Sequence, residues 1–216
     1  LNFCHLIETN LGNILVDTGV PGTSKFLWNY LLGQKIYPET ISLIVITHGH
    51  FDHTGDLLEI KEKTGAKILT SQTEGLLLAK GISPSVNLTS KWLKKLFPFE
   101  KEMAVPPVKA DVLVDDKFPL SDYGLDAEII LTPGHTSGSL SIILEKRQAF
   151  VGDLAMNMGL ITRFSYIPAI AENLEDIYLN WQKLIALGVE TIYPAHGKII
   201  GIDVLKKTLP KLKKAF

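Results

Sequence analysis

Apolar residues follow two different patterns along the chain. Short continuous runs, such as residues 43–47 with their β-branched side chains, are typical of strands buried on both faces. In other stretches apolar residues recur every three or four positions, as from Leu174 to Ile185, which predicts an amphipathic helix. The same patterns predict further strands at residues 3–8, 13–17, 67–70, 111–114, 127–131, 139–144, 149–152 and 191–193. They predict further helices after a cap at Thr23 or Ser24 and over residues 55–63, 73–80, 87–97 and the basic C-terminal stretch.

Strands that alternate with helices indicate an α/β protein. We find no internal repeat and no low-complexity linker, so the simplest organisation is one domain over residues 1–216. Residues 72–109 differ from the rest, because two predicted helices are followed by a loop with Pro98, Pro106 and Pro107. We expect this segment to be an excursion from the core that forms a lid or one wall of a cleft.

Composition narrows the function classes. The chain has 216 residues, 46% of them hydrophobic, and a formal net charge of -1, which is ordinary for a globular protein. A near-neutral charge does not favour nucleic acid as a partner, and we expect the five lysines from Lys206 to Lys214 to form a solvated helix face. No run is long enough for a membrane helix, and no signal peptide is visible. With Cys4 as the single cysteine, we expect a cytoplasmic protein of undetermined oligomeric state.

Histidine and aspartate residues gather where predicted strands end. Three of the six histidines lie in the run His48-Gly49-His50-Phe51-Asp52-His53, directly after the strand at 43–47. His135, Asp153 and His196 each follow another predicted strand beside a glycine or proline. Loops at strand ends are where functional sites are usually built. His5 is different, since strand residues flank it, and we expect it to be a hydrogen-bonded core residue.

These residue types together indicate a metal site. Several histidines and carboxylates packed together without a cation would leave desolvated polar groups that cost several kcal/mol. Imidazole nitrogen and carboxylate oxygen are the ligands that suit Zn²⁺, Fe²⁺ or Mn²⁺.

The run at 48–53 resembles the HxHxDH motif of the metallo-β-lactamase-fold hydrolases. Other segments resemble further motifs of that family and occur in the family's order: Asp17-Thr18-Gly19, residues 132–139, Gly152-Asp153, and Ala195-His196-Gly197. The resemblance covers nearly the whole chain. It implies an α/β fold of the four-layer αββα sandwich type, with the site at one edge between the sheets.

The resemblance also implies a role for each motif residue. His48, His50 and His135 would hold a first metal ion, Asp52, His53 and His196 a second, and Asp153 would bridge both. The implied cofactors are two divalent ions, most simply Zn²⁺, with Fe²⁺ or Mn²⁺ as alternatives. A metal-bridging hydroxide would be the nucleophile, and Asp52 would be the catalytic residue that orients it. Asp17 would support the ligand loop through a hydrogen bond.

The implied activity is hydrolysis of an ester, lactone or thioester of a small molecule. Asp153 stands where most β-lactamases of the family have Cys or Ser, which argues against β-lactamase activity. Only twenty residues follow His196, too few for the helical domain of glyoxalase II enzymes. Acyl-homoserine lactonases have Tyr where this chain has Met156, although Tyr166 or Tyr123 could substitute.

Three alternatives stay open. Persulfide dioxygenases resemble the same pattern but use one Fe²⁺ at the positions of His48, His135 and Asp153. A phosphodiesterase or nuclease would use the lysine-rich end. A metal-binding scaffold would keep the metal ligands but would not turn over a substrate.

The substrate pocket is expected between the excursion and residues 156–171. Its apolar candidates suit a hydrophobic acyl or aryl group: Trp92, Phe97, Phe99, Met156, Met158, Phe164, Tyr166 and Ile167. Arg163 is a candidate anchor for an anionic group.

Overall fold

Two β-sheets form the centre of the protein. The computed structural model describes residues 2–85, 87–89, 104–145, 147–162 and 165–216. The first sheet has the order β1-β2-β3-β4-β5, in which β1 and β2 are antiparallel and the other pairs are parallel. Its strands are β1 His5–Ile7, β2 Asn13–Val16, β3 Ile41–Val45, β4 Lys67–Ser71 and β5 Val112–Val114.

The second sheet has six strands in the order β11-β10-β9-β8-β7-β6. Only the pair β9 and β10 is parallel, and the other pairs are antiparallel. The strands are β6 Lys117–Pro119, β7 Ala127–Leu131, β8 Leu140–Leu144, β9 Gln148–Gly152, β10 Thr191–Pro194 and β11 Ile200–Gly201.

Helices lie on the outer face of each sheet. The helices that follow strands of the first sheet are α1 Ser24–Gly33, α2 Phe51–Thr54, α3 Leu57–Thr64 and α4 Gln72–Lys80. Those that follow strands of the second sheet are α5 Leu174–Ala186 and α6 Ile202–Lys213. Short 3₁₀ turns lie at Pro38–Thr40 and Ser121–Tyr123.

Three apolar clusters hold the layers together. In β3, Leu43 and Val45 point into the cluster between the sheets, where they meet residues such as Phe150 of β9. The alternate residues, Ile44 in the strand and Ile46 directly after it, point into a second cluster with α1 and α3. This placement explains the continuous apolar run, because both faces of the strand are buried. The third cluster packs α5 and α6 on the second sheet around Trp181. The predicted four-layer αββα sandwich is confirmed.

Some element boundaries differ from the prediction. The helix predicted at 55–63 occurs as α3, and the short helix α2 and the short strands β6 and β11 were not predicted. Of the helix predicted at 87–97, only residues 87–89 are described, and Leu88 there forms a bridge with Ile170. At the ends of the excursion, Val105 N–H donates to the Gly81 carbonyl and Val108 N–H to that of Leu78. Its role as a lid, like the single-domain organisation, stays a prediction.

None of the helices in the described ranges has both the length and the apolar character that a bilayer crossing requires.

Candidate metal centre

The predicted ligand residues all follow strand ends at one edge of the sandwich. The 48–53 run follows β3, and His135, Asp153 and His196 follow β7, β9 and β10. His50 has extended backbone angles, and α2 begins at the next residue, so Asp52 and His53 lie in its first turn. The structure brings all seven side chains together in three overlapping groups that could hold a cation.

The first group consists of three buried imidazoles. His135 Nε2 lies 3.0 Å from His48 Nε2 and 2.9 Å from His50 Nδ1. These are suitable separations for nitrogen atoms that surround one small cation, because Zn–N bonds are about 2.0–2.1 Å long.

The second group contains one carboxylate and two imidazoles. Asp52 Oδ2 lies 3.2 Å from His196 Nε2 and 3.8 Å from His53 Nε2. The side chain of Asp52 is 21% exposed, whereas that of His53 is fully buried. This group therefore lies on the side of the centre that solvent reaches.

Asp153 lies between the two groups. Its Oδ2 is 3.5 Å from His135 Nε2 in the first group and 3.5 Å from His196 Nε2 in the second. Its Oδ1 is 3.6 Å from His53 Nε2. One carboxylate thus lies near both groups, a position that fits the bridging role implied by the resemblance.

The two sheets meet beside this carboxylate. Leu140 N–H, at the start of β8, donates a 2.8 Å hydrogen bond to the Thr47 carbonyl, next to His48. Gly152 has φ +51°, and a Cβ there would lie 2.7 Å from Thr47 Oγ1. Glycine is therefore required before Asp153, since a larger residue would push the sheets apart.

Asp17 orients two of the histidines. Its Oδ2 lies 2.8 Å from His53 Nδ1 and accepts a 2.8 Å hydrogen bond from the Thr47 hydroxyl. That hydroxyl oxygen lies 3.1 Å from His48 Nδ1. Both imidazoles can therefore donate from Nδ1 and keep the Nε2 lone pair for a cation. This geometry fits the support role predicted for Asp17.

Helix α5 fixes two of the three ligand loops of the second sheet, those that carry His135 and Asp153. Trp181 Nε1 donates a 2.8 Å hydrogen bond to the Leu154 carbonyl, one residue after Asp153. Asn180 Nδ2 donates a 2.8 Å bond to the Pro133 carbonyl, two residues before His135. His135 Nδ1 lies 2.8 Å from the Ile170 carbonyl, which leaves Nε2 facing the first group.

One carboxylate at this site was missed by the sequence analysis. Glu74, in the first turn of α4, is fully buried, and it contacts the loops that carry the first group. The spacing of Ser71 and Glu74 is that of a capping box, and this signal predicts only where a helix begins. Ser71 does cap the helix, but the Glu74 carboxylate points to Gly49 and Thr136 instead of its own helix end.

The pKa values of the histidines are shifted in opposite directions in the two groups. Burial, together with the neighbouring imidazoles, lowers the pKa of His50 to about 3 and that of His48 well below its usual value. Burial also lowers the pKa of His135. Burial opposes protonation of His53 and His196 as well, but the carboxylates beside them outweigh it and raise both pKa values.

Two buried polar atoms between the groups lack hydrogen-bond partners in the part of the chain that the structure describes, which fits a site for a divalent cation. His53 Nε2 and Asp153 Oδ1 are buried and have no hydrogen-bond partner among the described residues, although unpaired buried polar atoms are costly. A cation between the groups would satisfy both atoms. Imidazole nitrogen and carboxylate oxygen are ligands that Zn²⁺ and similar ions accept.

The remaining candidates lie outside the three groups. His5 packs against Phe150 and Tyr193 with its Nε2 3.4 Å from the Pro194 carbonyl, as expected of a core residue. Met156 and Tyr166 are buried rather than exposed pocket walls, and the Tyr166 hydroxyl donates to the Lys198 carbonyl. Five further pocket candidates lie outside the described residues: Trp92, Phe97, Phe99, Arg163 and Phe164.

The printed names of two sequence relatives fit a metal-dependent hydrolase. The chain is 32% identical over 189 residues to the "Probable metallo-hydrolase MJ0888" of Methanocaldococcus jannaschii, covering 87% of this chain and 84% of that protein. It is 29% identical over 205 residues to a "Beta-lactamase-like protein 2 homolog" of Caenorhabditis elegans. That match covers 91% of this chain but only 56% of the nematode protein.

Solved structures share the fold. A Cronobacter sakazakii metallo-beta-lactamase with a HARLDQ motif superposes with a TM-score of 0.70 at 20% identity, over 100% of this chain and 86% of that one. The class B3 di-zinc metallo-beta-lactamase LRA-12 gives 0.69 at 23% identity, over 98% and 85%. The family model of the metallo-beta-lactamase superfamily matches residues 1–196. The chain therefore belongs to the metallo-beta-lactamase superfamily.

Proposed function

We propose that this protein is a dinuclear metal-dependent hydrolase that cleaves an ester, lactone or thioester of a small molecule. Membership of the superfamily supports a metal-dependent hydrolase. The observation that carries the dinuclear proposal is the position of Asp153, within 3.6 Å of ligand nitrogens in both groups. A shared carboxylate reduces the repulsion between two cations about 3.5–4 Å apart.

Each residue then has a defined task. His48, His50 and His135 would hold the first ion, Asp52, His53 and His196 would hold the second, and Asp153 would lie between them. Two such ions, when bound, polarise the scissile carbonyl and lower the pKa of a bound water from 15.7 to about 7. Asp52 is the catalytic residue that orients this water, because its side chain is the partly exposed member of the second group.

Asp52 is well placed to accept a proton from the water. Burial alone would raise its pKa, but the hydrogen bond with His196 and the charge of His53 hold it below its usual value. The carboxylate therefore stays ionised near neutral pH and can serve as an acceptor.

An apolar loop beside the second group supports a hydrophobic acyl substituent in the substrate. Asn157 N–H donates a 2.8 Å hydrogen bond to the His196 carbonyl, which fixes the start of this loop. The next residues present three large apolar side chains to solvent, and Leu160 is 75% exposed. The others are Met158 and Ile161. Small molecules with an acyl chain are thus better candidates than nucleic acid.

The first experiment is metal analysis of protein purified without chelators, followed by assays on ester, lactone and thioester panels. We expect two zinc ions per chain and hydrolysis that is faster with longer acyl chains. A folded protein that binds no metal would overturn the proposal. Turnover of bis-p-nitrophenyl phosphate alone would favour the phosphodiesterase alternative instead.

Asp52→Ala tests the catalytic assignment. We expect kcat to fall about 10²–10⁴-fold, as for loss of a proton-transfer group, with an unchanged circular dichroism spectrum. Asp203→Ala is the control, because Asp203 is an exposed carboxylate that pairs with Lys206 on α6. Wild-type kcat in Asp52→Ala would refute the role given to Asp52.

The iron-dependent alternative makes a different prediction. A persulfide dioxygenase would need one Fe²⁺ at His48, His135 and Asp153, and would leave Asp52 and His196 without a metal. The complete second group favours the hydrolase. Iron near one per chain, with oxygen uptake on glutathione persulfide, would reverse this preference.

A further inference from the structure

Two ligand loops from different sheets meet on one buried carboxylate of a third element. Glu74 is 0% exposed and lies in the first turn of α4. Its Oε2 accepts a 2.8 Å hydrogen bond from Gly49 N–H, between His48 and His50. Its Oε1 accepts a 2.7 Å hydrogen bond from the Thr136 hydroxyl, next to His135. All three imidazoles of the first group are thus one residue away from a Glu74 contact.

The backbone of both loops is shaped to admit this carboxylate. A Cβ on Gly49 would lie 2.6 Å from Glu74 Oε2, and a Cβ on Gly138 would lie 2.7 Å from Oε1. Real Cβ atoms do not approach this closely, so both glycines leave space that Glu74 fills. Gly49 is the glycine of the 48–53 run, and Gly138 is the second of the two glycines in the 132–139 segment.

The N-terminal cap of helix α4 fixes the position of Glu74. Ser71 Oγ accepts a hydrogen bond from Glu74 N–H and caps the helix, so the residue stands on a rigid helix end. A buried carboxylate is costly unless donors satisfy it. Gly49 and Thr136 are such donors, and losing Glu74 would leave Gly49 N–H without this acceptor and the Thr136 hydroxyl with Ser139 Oγ as its remaining side-chain contact.

We propose that Glu74 is a positioning residue that holds His48, His50 and His135 in the geometry that binds the first cation. The inference rests on the proposed metal-dependent function. It assigns to Glu74 a role in metal affinity, beyond any role in folding. Its hydrogen-bonding contacts are with the loops of the first group, so its loss affects the first cation more than the second.

The test measures zinc affinity directly, by competition with a chromophoric chelator. His196→Ala serves as the parent, because it makes the second group incomplete and leaves the first group intact. In this parent, Glu74→Ala is expected to weaken zinc binding about 10–100-fold, the usual cost of losing a partner behind the ligands. The d–d absorption bands of the Co²⁺ form should shift as the ligand geometry changes.

Asp56→Ala is the matched control in the same parent. Asp56 is also a buried carboxylate, and it accepts backbone N–H bonds from Gly22 and Thr23 at the start of α1. Neither of those residues belongs to a ligand loop. We expect the variant to be less stable to heat but to bind zinc within about twofold of the parent, as for an independent site.

Glu74→Gln separates geometry from charge. Its carbonyl can still accept from Gly49 N–H, and its amide can donate to the Thr136 hydroxyl oxygen. We expect it to restore zinc affinity to within about tenfold of the parent, above the Glu74→Ala value. Thr136→Val removes the hydroxyl contact with little change in shape and keeps the inference testable if Glu74→Ala does not fold. It is expected to weaken zinc binding by less than Glu74→Ala.

Two outcomes would overturn the inference, and they differ. If Glu74→Ala, or Thr136→Val in its place, binds zinc as tightly as the parent, the positioning role is wrong and the proposed hydrolase stands. If wild-type protein binds no zinc at all, the proposed function fails and takes the positioning role with it.

Discussion

The two ligand groups differ in charge, exposure and support. The first contains only imidazoles, all buried, and its loops are tied to Glu74. The second includes a carboxylate that is 21% exposed, and His53 in it is held by Asp17. The pKa values of its histidines are raised, whereas those of the first group are lowered.

If the protein binds two cations as proposed, this difference predicts different roles for them. A neutral, enclosed set of nitrogens is suited to a cation that stays in place. A partly exposed set that includes a carboxylate is suited to a cation that faces substrate and exchanges more readily. Three changes would break or sharpen this comparison.

Asp153→Ala should have the largest effect, because it removes the residue that both groups share. We expect the variant to lose tight binding of the second cation, and kcat to fall by more than the about 10²–10⁴-fold expected for Asp52→Ala. Metal content and kcat measured on the same preparation check this. A variant that keeps two tightly bound ions would show that the groups are independent.

Asp17→Asn should weaken binding of the second cation by about 10–100-fold and affect the first cation less. Asp17 contacts His53 directly but reaches His48 only through the Thr47 hydroxyl. Asp17 has φ +61°, a conformation that Asn tolerates, so the backbone should be preserved. Stepwise zinc titration measures both affinities, with Asp56→Asn as the control. An equal loss at both steps would contradict the comparison.

Acidification should release the second cation before the first. His53 and His196 have raised pKa values, so in the metal-free protein they bind protons at a higher pH than usual and compete with the cation there. His48, His50 and His135 have lowered pKa values and stay deprotonated to lower pH. Zinc titrations between about pH 5 and 8 test the order. Loss of both ions in one step would contradict it.

Local sequence patterns predicted much of the fold and the positions of the candidate site residues. The run at 43–47 predicted a doubly buried strand, and β3 has that environment. The candidate ligand residues stood out in the sequence because each lies in a short motif beside a strand end. Their convergence and the αββα architecture came from the family resemblance, since periodicity does not determine how sheets pair.

Other features have no local signal. Glu74 lies 25 residues from Gly49 and 62 from Thr136, so its partners depend on how the sheets pack. Met156 and Tyr166 were expected in a pocket but are buried, because an apolar pattern does not distinguish a core from a cleft. Strand β11 has two residues and no readable periodicity, and β6 ends in Pro119, a residue that weakens the sequence signal of a strand.

The hydrogen bond between Leu140 and Thr47, and the absence of a side chain at Gly152, set how closely the sheets approach beside the ligands. Four ligand residues come from one half of the sandwich and three from the other, so any slippage between the halves would change the distances between them. Substitutions in the interior between the sheets are therefore expected to disturb the candidate metal centre. New substrate ranges should arise instead in surface loops such as 158–161, which can vary without disturbing that alignment.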